Sequence, residues 1–543
     1  MPRHKMHERF QAAGPADIAW RRLLSATLVL LLLVLPSWAQ ATTSLQFLGA
    51  ARTVGGSACL LEAGKSRILI DFGLFMSPED RFRNNLLPFD PSSIDYVLLT
   101  HAHIDHAGRI PLLYKNGFRG RVVGIGATKA LTRLLLGASL DYTDREAEPL
   151  FGAQDIAAMM KNFMSLSYDR KVDLSPDITV RFRNAGHILG SAMIEIWCKD
   201  GEKSIKIVFT GDMGNASIPL FKAPFDIREG DFVIVEATYG TTARIASKTT
   251  PVIVPKFQSG NDSRTKQFGT EIRKTLEGGG SVLIPAFTLD RTQKVLFMLG
   301  RLKREGIIPE QTPVYADSGM ARKITRIYGR YAGYFHPEAR RLTDAGHDIF
   351  RFPGFHDVSG EEALRTHGQG KPAIYVTSSG MLDHGNAPRH LEKMIDDPHN
   401  LLAIVGWQAP GSLGSRLLAG EKRVGIPVPR EGEGGIGAGR VEKDVKMRVM
   451  QFDLFSNHAD ACQLLNWLAG FGKIKQVFVV HGDKENTVDL ARIIEGNLGF
   501  KAVAPELNDR IVLSADQEYR ERKPGIMPCA GLGEGEIWSG TME

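Results

Sequence analysis

Apolar positions along this chain fall in short runs separated by polar turns. Residues 44–48, 58–62 and 67–70 are aliphatic and β-branched, and they flank a Gly55-Gly56 turn, which predicts strands. Residues 96–99 predict a buried strand that runs directly into a histidine cluster, and residues 107–114 and 128–136 carry apolar positions at helical spacing. Residues 205–210 and 232–235 predict strands that each end at a polar motif. Near residue 241 the texture changes to a Thr/Ser-rich link running to about residue 268. Strand–helix alternation then resumes, with strands at 281–285, 313–316, 373–376 and 401–405 and helices at 290–305 and 320–328. That order predicts a second α/β domain with a mostly parallel sheet. Residues 425–440 are rich in Gly, Pro and charge and predict an exposed loop, whereas 447–453 and 476–480 predict strands that lead to further polar motifs. The tail after about residue 514 is rich in Gly and charge and predicts weak order.

The 543 residues exceed what one hydrophobic core normally serves. Apolar residues at 43% and charged residues at 24% describe an ordinary globular protein. The net charge of +6 is partly a property of the N-terminus. Without the five bases and two acids of residues 1–41, 62 bases remain against 59 acids, a net of +3. That balance neither demands nor excludes a polyanionic partner. Basic residues ending in Trp20-Arg21-Arg22 precede an apolar run at 23–35, then Pro36 and Ala39-Gln40-Ala41. This is the pattern of a secretory signal peptide cleaved after Ala41, and the apolar run is short against the roughly 20 residues a membrane span needs. Export to the periplasm is the expectation. An uncleaved anchor through 23–35, or a mis-assigned start and a cytoplasmic protein, stay open, and Arg21-Arg22 also permits a twin-arginine route. Cys59, Cys198, Cys462 and Cys529 show no zinc-ligand spacing; four buried or free thiols are the expectation, while an oxidising compartment would allow disulfides that the sequence does not assign.

Candidate chemistry centres on Thr100-His101-Ala102-His103-Ile104-Asp105-His106-Ala107-Gly108. Imidazole and carboxylate are good zinc ligands, and alternate residues of an extended segment point the same way, so His101 and His103 can share one metal. Asp105 and His106 can face a second. A lone histidine is usually an ordinary core or surface residue, but four ligand-type residues packed this closely do not read that way. His187 in Gly186-His187-Ile188, Asp212 in Gly211-Asp212-Met213-Gly214 and His481 in Val480-His481-Gly482 each follow an apolar strand beside a glycine and add further coordination directions.

These residues resemble the motifs of the metallo-β-lactamase superfamily. Asp71 in Ile70-Asp71-Phe72-Gly73 looks like the first motif, the histidine run the second, His187 the third and Asp212 the fourth. Glu236 in Val235-Glu236-Ala237-Thr238-Tyr239 resembles motif A of the β-CASP nucleases, His458 in Phe455-Ser456-Asn457-His458-Ala459-Asp460 motif B, and His481 motif C. Asp317-Ser318-Gly319-Met320-Ala321, Ser378-Ser379-Gly380-Met381-Leu382 and Gly414-Ser415-Arg416-Leu417-Leu418 match in family order. Gly319 stands where the family usually has proline, and Asn457 where it has a smaller residue.

The resemblance implies an α/β fold: a metallo-β-lactamase αββα sandwich built from residues 42–240 and 447–515, with a β-CASP domain inserted at 241–446 and a tail at 516–543. It implies two Zn2+ per chain, one on His101, His103 and His187, the other on Asp105, His106 and His481, with Asp212 bridging and Asp71 orienting ligands from behind. The implied activity is hydrolysis of RNA phosphodiesters, with attack by a metal-bridging hydroxide, Asp105, Glu236 and His458 in the catalytic set, and His458 as general acid. Ser378, Ser379 and Gly380 are candidates for a phosphate cradle. The expected partner is single-stranded RNA, with no membrane domain beyond the leader and room for a homodimer. An exported metallohydrolase of DNA, nucleotides or a small ester is the alternative, and a non-catalytic nucleic-acid binder a third.

Overall fold

The computed structural model describes residues 43–140, 149–215, 218–241, 263–367, 371–429 and 438–523. The leader at 1–41, Cys529 and most of the link after residue 241 lie outside the described residues.

Two seven-stranded sheets form the first layer pair. One runs Arg510–Leu513, Thr43–Gly49, Ala58–Ala63, Ser66–Ile70, Tyr96–Leu98, Arg121–Ile125, Phe163–Leu166 in spatial order. The other runs Ala502–Val503, Gln476–Val480, Phe232–Glu236, Lys203–Phe209, Ala192–Asp200, Ile178–Asn184, Lys171–Ser175. The two-residue period of a strand sorts their side chains. Phe232 and Ile234 enter the core between the sheets, with Leu45, Phe47, Ile68, Ile70 and Phe478. Val233 and Val235 point the other way, onto Leu464, Leu468, Leu490 and Ile494 of the helices Ala461–Leu468 and Lys484–Leu498. On the opposite side Leu69, Val97 and Leu99 pack on Ile110 and Leu113 of the helix Ile110–Lys115. The result is the expected αββα sandwich.

The insert holds a six-stranded, wholly parallel sheet in the order Phe355–Val358, Val314–Asp317, Ile374–Thr377, Val282–Pro285, Leu401–Ile404, Arg448–Gln451. Val282 and Ile284 face Phe268, Ile272 and Val295 of the helices Ser263–Glu277 and Arg291–Arg304. Leu283, Tyr375 and Leu402 face Leu391, Leu413 and Leu417 on the other side.

Six sequence expectations are corrected. The helix expected at 107–114 is two segments, Ile104–Ala107 and Ile110–Lys115, so Asp105 and His106 are already helical. Residues 263–268 belong to a helix rather than the link. The loop expected at 425–440 is a hairpin of Arg423–Pro429 and Ala438–Asp444, whose Val424 and Ile426 alternate into the core. Arg448–Gln451 pairs with Leu401–Ile404, so the chain returns to the sandwich only after the insert's last strand. Cys59 and Cys198 are buried free thiols, but Cys462 is disulfide-bonded. Order also extends past residue 514, because Arg520–Glu521 pairs with Lys473–Ile474.

Candidate metal centre

Every candidate ligand sits just past the end of a strand, on one edge of the sandwich. His101 follows Tyr96–Leu98, His103 caps the helix that carries Asp105 and His106, and Asp212 follows Lys203–Phe209. Glu236 ends its strand, and His481 follows Gln476–Val480. Asp71 and His481 both adopt left-handed backbone, at φ 57° and 52°. Such conformations persist where surrounding contacts hold them. The His481 N–H donates to the Ala50 carbonyl at 2.7 Å, and the Asp71 N–H to Leu98 at 2.9 Å. Gly73 is a close approach: a Cβ there would stand 1.5 Å from the Asp105 carbonyl oxygen.

The donors converge in two groups. His101 Nε2 and His187 Nε2 lie 3.0 and 3.1 Å from His103 Nδ1. His106 Nε2 lies 3.1 Å from His481 Nε2, which is 3.4 Å from Asp105 Oδ2. Asp212 stands between them. Its Oδ2 is 3.5 Å from His101 Nε2 and 3.6 Å from His187 Nε2, while its Oδ1 is 3.3 Å from His106 Nε2 and 3.5 Å from His481 Nδ1, the nitrogen that also meets Thr238.

The far sides of the rings explain why these nitrogens face inward. His101 Nδ1 donates to the Thr100 hydroxyl at 3.1 Å, His106 Nδ1 to Asp71 at 2.8 Å, His187 Nδ1 to the Asn457 carbonyl at 3.0 Å and His481 Nδ1 to the Thr238 hydroxyl at 3.1 Å. A protonated outer nitrogen leaves the inner one as a lone pair. Lone pairs facing each other at about 3 Å repel unless a cation lies between them. Buried Asp212 Oδ1 has no hydrogen-bond donor, as expected of an oxygen reserved for a cation. Burial drives His101, His103 and His187 below the usual histidine range, toward the neutral form that ligates metals. Burial also opposes charge on His106 and His481, but Asp212, with Asp71 at His106 and Asp105 at His481, outweighs it and raises both. The second group is thus a place where the protein field favours positive charge. The donor set fits divalent metal ions.

Glu236 and His458 adjoin this cluster. His458 Nδ1 is 3.1 Å from Glu236 Oε2 and 3.9 Å from Asp212 Oδ2. Glu236 is buried and its Oε1 accepts the Met213 N–H at 2.6 Å, which ties it to the Asp212 loop.

The comparisons with known proteins follow this geometry. Residues 51–255 match the metallo-β-lactamase superfamily, 292–417 the Beta-Casp domain and 442–505 the Zn-dependent metallo-hydrolase RNA specificity domain. The chain is 33% identical over 449 residues to Ribonuclease TTHA0252 of Thermus thermophilus, covering 82% of this chain and 94% of that one. It is 33% identical over 465 residues to Transcription termination factor FttA of Methanothermobacter thermautotrophicus, covering 84% and 69%.

The chain belongs to the β-CASP branch of the metallo-β-lactamase superfamily.

A solved protein of unknown function from Enterococcus faecalis V583 has a similar fold, at 14% identity and TM-score 0.50, over 87% of this chain and all of that one.

Ser378, Ser379 and Gly380 follow the strand Ile374–Thr377 of the insert. The Ser378 hydroxyl bonds to Ser318 at 3.1 Å, the Ser379 N–H donates to His384 at 3.0 Å, and the Gly380 carbonyl accepts from Gln408 at 2.9 Å. The Ser379 hydroxyl is buried without a hydrogen-bond partner. Sequence reasoning missed Thr100 and Thr238 as supporting residues, and also Lys294, whose Nζ donates to Asn457 Oδ1 at 3.0 Å. Thr100 and Thr238 stand inside the quoted motifs, and hydroxyls beside a ligand were the available signal. Lys294 carried none.

Proposed function

We propose that this β-CASP protein is a zinc-dependent phosphodiesterase that cleaves single-stranded RNA. The observation that carries this reading is the Glu236–His458 pair standing beside Asp212, an acid device next to a metal site. The ribonuclease relative, 94% of which the chain covers, supports RNA as the substrate.

In this reading His101, His103 and His187 would hold one zinc ion and Asp105, His106 and His481 a second, with Asp212 standing between the two groups. Zinc bound there supplies Lewis acidity and a nucleophile ionised near neutral pH. The protein's own share is orientation and proton delivery. Thr100, Asp71, Asn457 and Thr238 fix the tautomers of four ligand rings. Glu236 accepts a hydrogen bond from His458 Nδ1–H, which leaves Nε2–H as the group that gives a proton to the leaving ribose oxygen. Tyr239, with its ring 5.9 Å from that of His458, walls the acid on the other side.

The test is labelled single-stranded RNA with purified protein, with and without a chelator, beside single-stranded DNA, nucleotides and p-nitrophenyl esters. Metal-dependent RNA cleavage is expected. Turnover confined to another substrate would sink the RNA assignment.

The leader favours a second element of the proposal, export. No helix among the described residues is long and apolar enough to cross a membrane. N-terminal sequencing of the native protein from envelope and cytoplasmic fractions tests export. A chain that begins after Ala41 outside the cytoplasm is expected, and an intact N-terminus in the cytoplasm would contradict it.

A further inference from the structure

The helix Arg291–Arg304 carries a buried lysine toward the metal-bearing sandwich. Lys294 Nζ lies 2.8 Å from Asp290 Oδ2, 3.0 Å from Asn457 Oδ1 and 3.5 Å from the His187 carbonyl oxygen. Asp290 is fully buried, and its Oδ1 accepts the Tyr328 hydroxyl at 2.9 Å. A buried ammonium needs a counter-charge and acceptors for its remaining protons. Asp290 gives the charge from the same helix. The acceptors come from the other domain.

Asn457 is the pivot. Its side chain takes the lysine, while its carbonyl takes the His187 ring at 3.0 Å and the Asn215 N–H at 3.2 Å. The next residue is His458, bridged to Gly214 through the backbone. The Ala459 N–H then donates to Met213 at 2.8 Å. The backbone around His458 is held to the Asp212 loop on one side, and the Lys294–Asn457 bond holds it to the insert on the other.

We propose that Lys294 is a positioning residue: reaching across from the insert, it holds the Asn457 side chain and so sets where His458 meets the leaving oxygen of the substrate. This rests on the reading of His458 as general acid. In that step a hydroxide oxygen, formed from water whose other proton goes to solvent, bonds to phosphorus, the phosphorus–ribose oxygen bond breaks, and the His458 proton passes to the departing oxygen. A ribose alkoxide needs that proton, whereas p-nitrophenolate leaves without it. A support for the metals or the fold would affect both substrates alike. A device that places the acid affects RNA alone.

The experiment compares wild type, Asn457→Ala, Asn457→Asp and His458→Ala as full chains, on RNA and on a p-nitrophenyl phosphodiester, with zinc content measured on each. Asn457→Ala keeps the carbonyl that orients His187 and keeps the Lys294–Asp290 pair. Its kcat on RNA is expected to fall about tenfold or more with KM nearly unchanged, against the roughly 10²–10⁴-fold that general acids supply. Its p-nitrophenyl ester turnover and zinc content fall far less than its RNA turnover. Asn457→Asp, which restores an acceptor for the lysine, recovers most of the RNA activity. Lys294→Arg keeps the charge beside Asp290 but replaces a point donor with a planar fork, and it carries the same expectation as Asn457→Ala should that variant not fold. Equal losses on both substrates, or no loss on RNA, would overturn the proposal. If wild type cleaves no RNA, or His458→Ala loses both activities equally, the reading of the site fails. If those two behave and Asn457→Ala does not, only the role of Lys294 fails.

Discussion

Asp71→Asn changes one atom and tests how the ligand rings are aimed. Asp71 Oδ1 accepts the Thr100 N–H at 2.8 Å, and Oδ2 accepts the Thr100 hydroxyl at 2.7 Å and His106 Nδ1 at 2.8 Å. The Thr100 hydroxyl in turn receives His101 Nδ1. One carboxylate therefore fixes a ring in each half of the cluster. An amide offers one acceptor oxygen and two donors. The Thr100 N–H cannot turn, so the oxygen goes there and the NH2 faces His106. His106 Nδ1 must then accept, which moves its proton to Nε2, the atom aimed at His481 and Asp212. Losing such an outer partner typically costs about 10–100-fold in metal affinity. That is about 1.4–2.7 kcal/mol, in line with the roughly 1.5–3 kcal/mol of a hydrogen bond to a charged group. Zinc titration against a chromophoric chelator reads the affinity, and near-UV circular dichroism checks the fold. A folded variant whose zinc affinity stays within about twofold of wild type would refute the tautomer argument, since tenfold is its lower bound.

Two further outcomes follow from the packing. Gly73→Ala drives a Cβ into the Asp105 carbonyl, so it should displace Asp105 and lower both zinc content and thermal midpoint. A zinc-replete, fully stable variant would show that the loop yields. Burial raises the Glu195 carboxyl, but bonds from Arg181, Lys206 and Arg183 outweigh that and lower it to about 2 from 4.5. A depressed folded value means stabilisation that is present above about pH 4.5 and lost as pH falls toward 2. In urea unfolding, Glu195→Gln should therefore be less stable than wild type at neutral pH, with the gap closing between pH 4.5 and 2. A gap that is constant with pH contradicts the assignment.

The centre of the site was legible because its ligands sit within short, glycine-marked motifs. His101, His103, Asp105 and His106 are local to one turn, and His187, Asp212, Glu236 and His481 each announce themselves after an apolar strand. The hairpin of Arg423–Pro429 and Ala438–Asp444 was not legible, because Pro427 and nearby glycines mask the alternation of Val424, Ile426 and Val428. Arg448–Gln451 reads as a strand but does not say which sheet it joins, and only its pairing to Leu401–Ile404 assigns it to the insert. Lys294 looks like any helical lysine. Its role depends on the helix docking against Asn457, 163 residues away. That Cys462 is disulfide-bonded was likewise not legible, since cysteine spacing alone does not choose partners.

The central claim is that these histidines and aspartates hold metal for RNA cleavage. The most direct measurement is metal analysis of the purified chain joined to RNA cleavage before chelation, after chelation and after zinc is restored. The account predicts two zinc ions per chain, with cleavage that disappears with them and returns on zinc addition. A chain that carries no metal, or that cuts RNA equally well without it, would contradict the account.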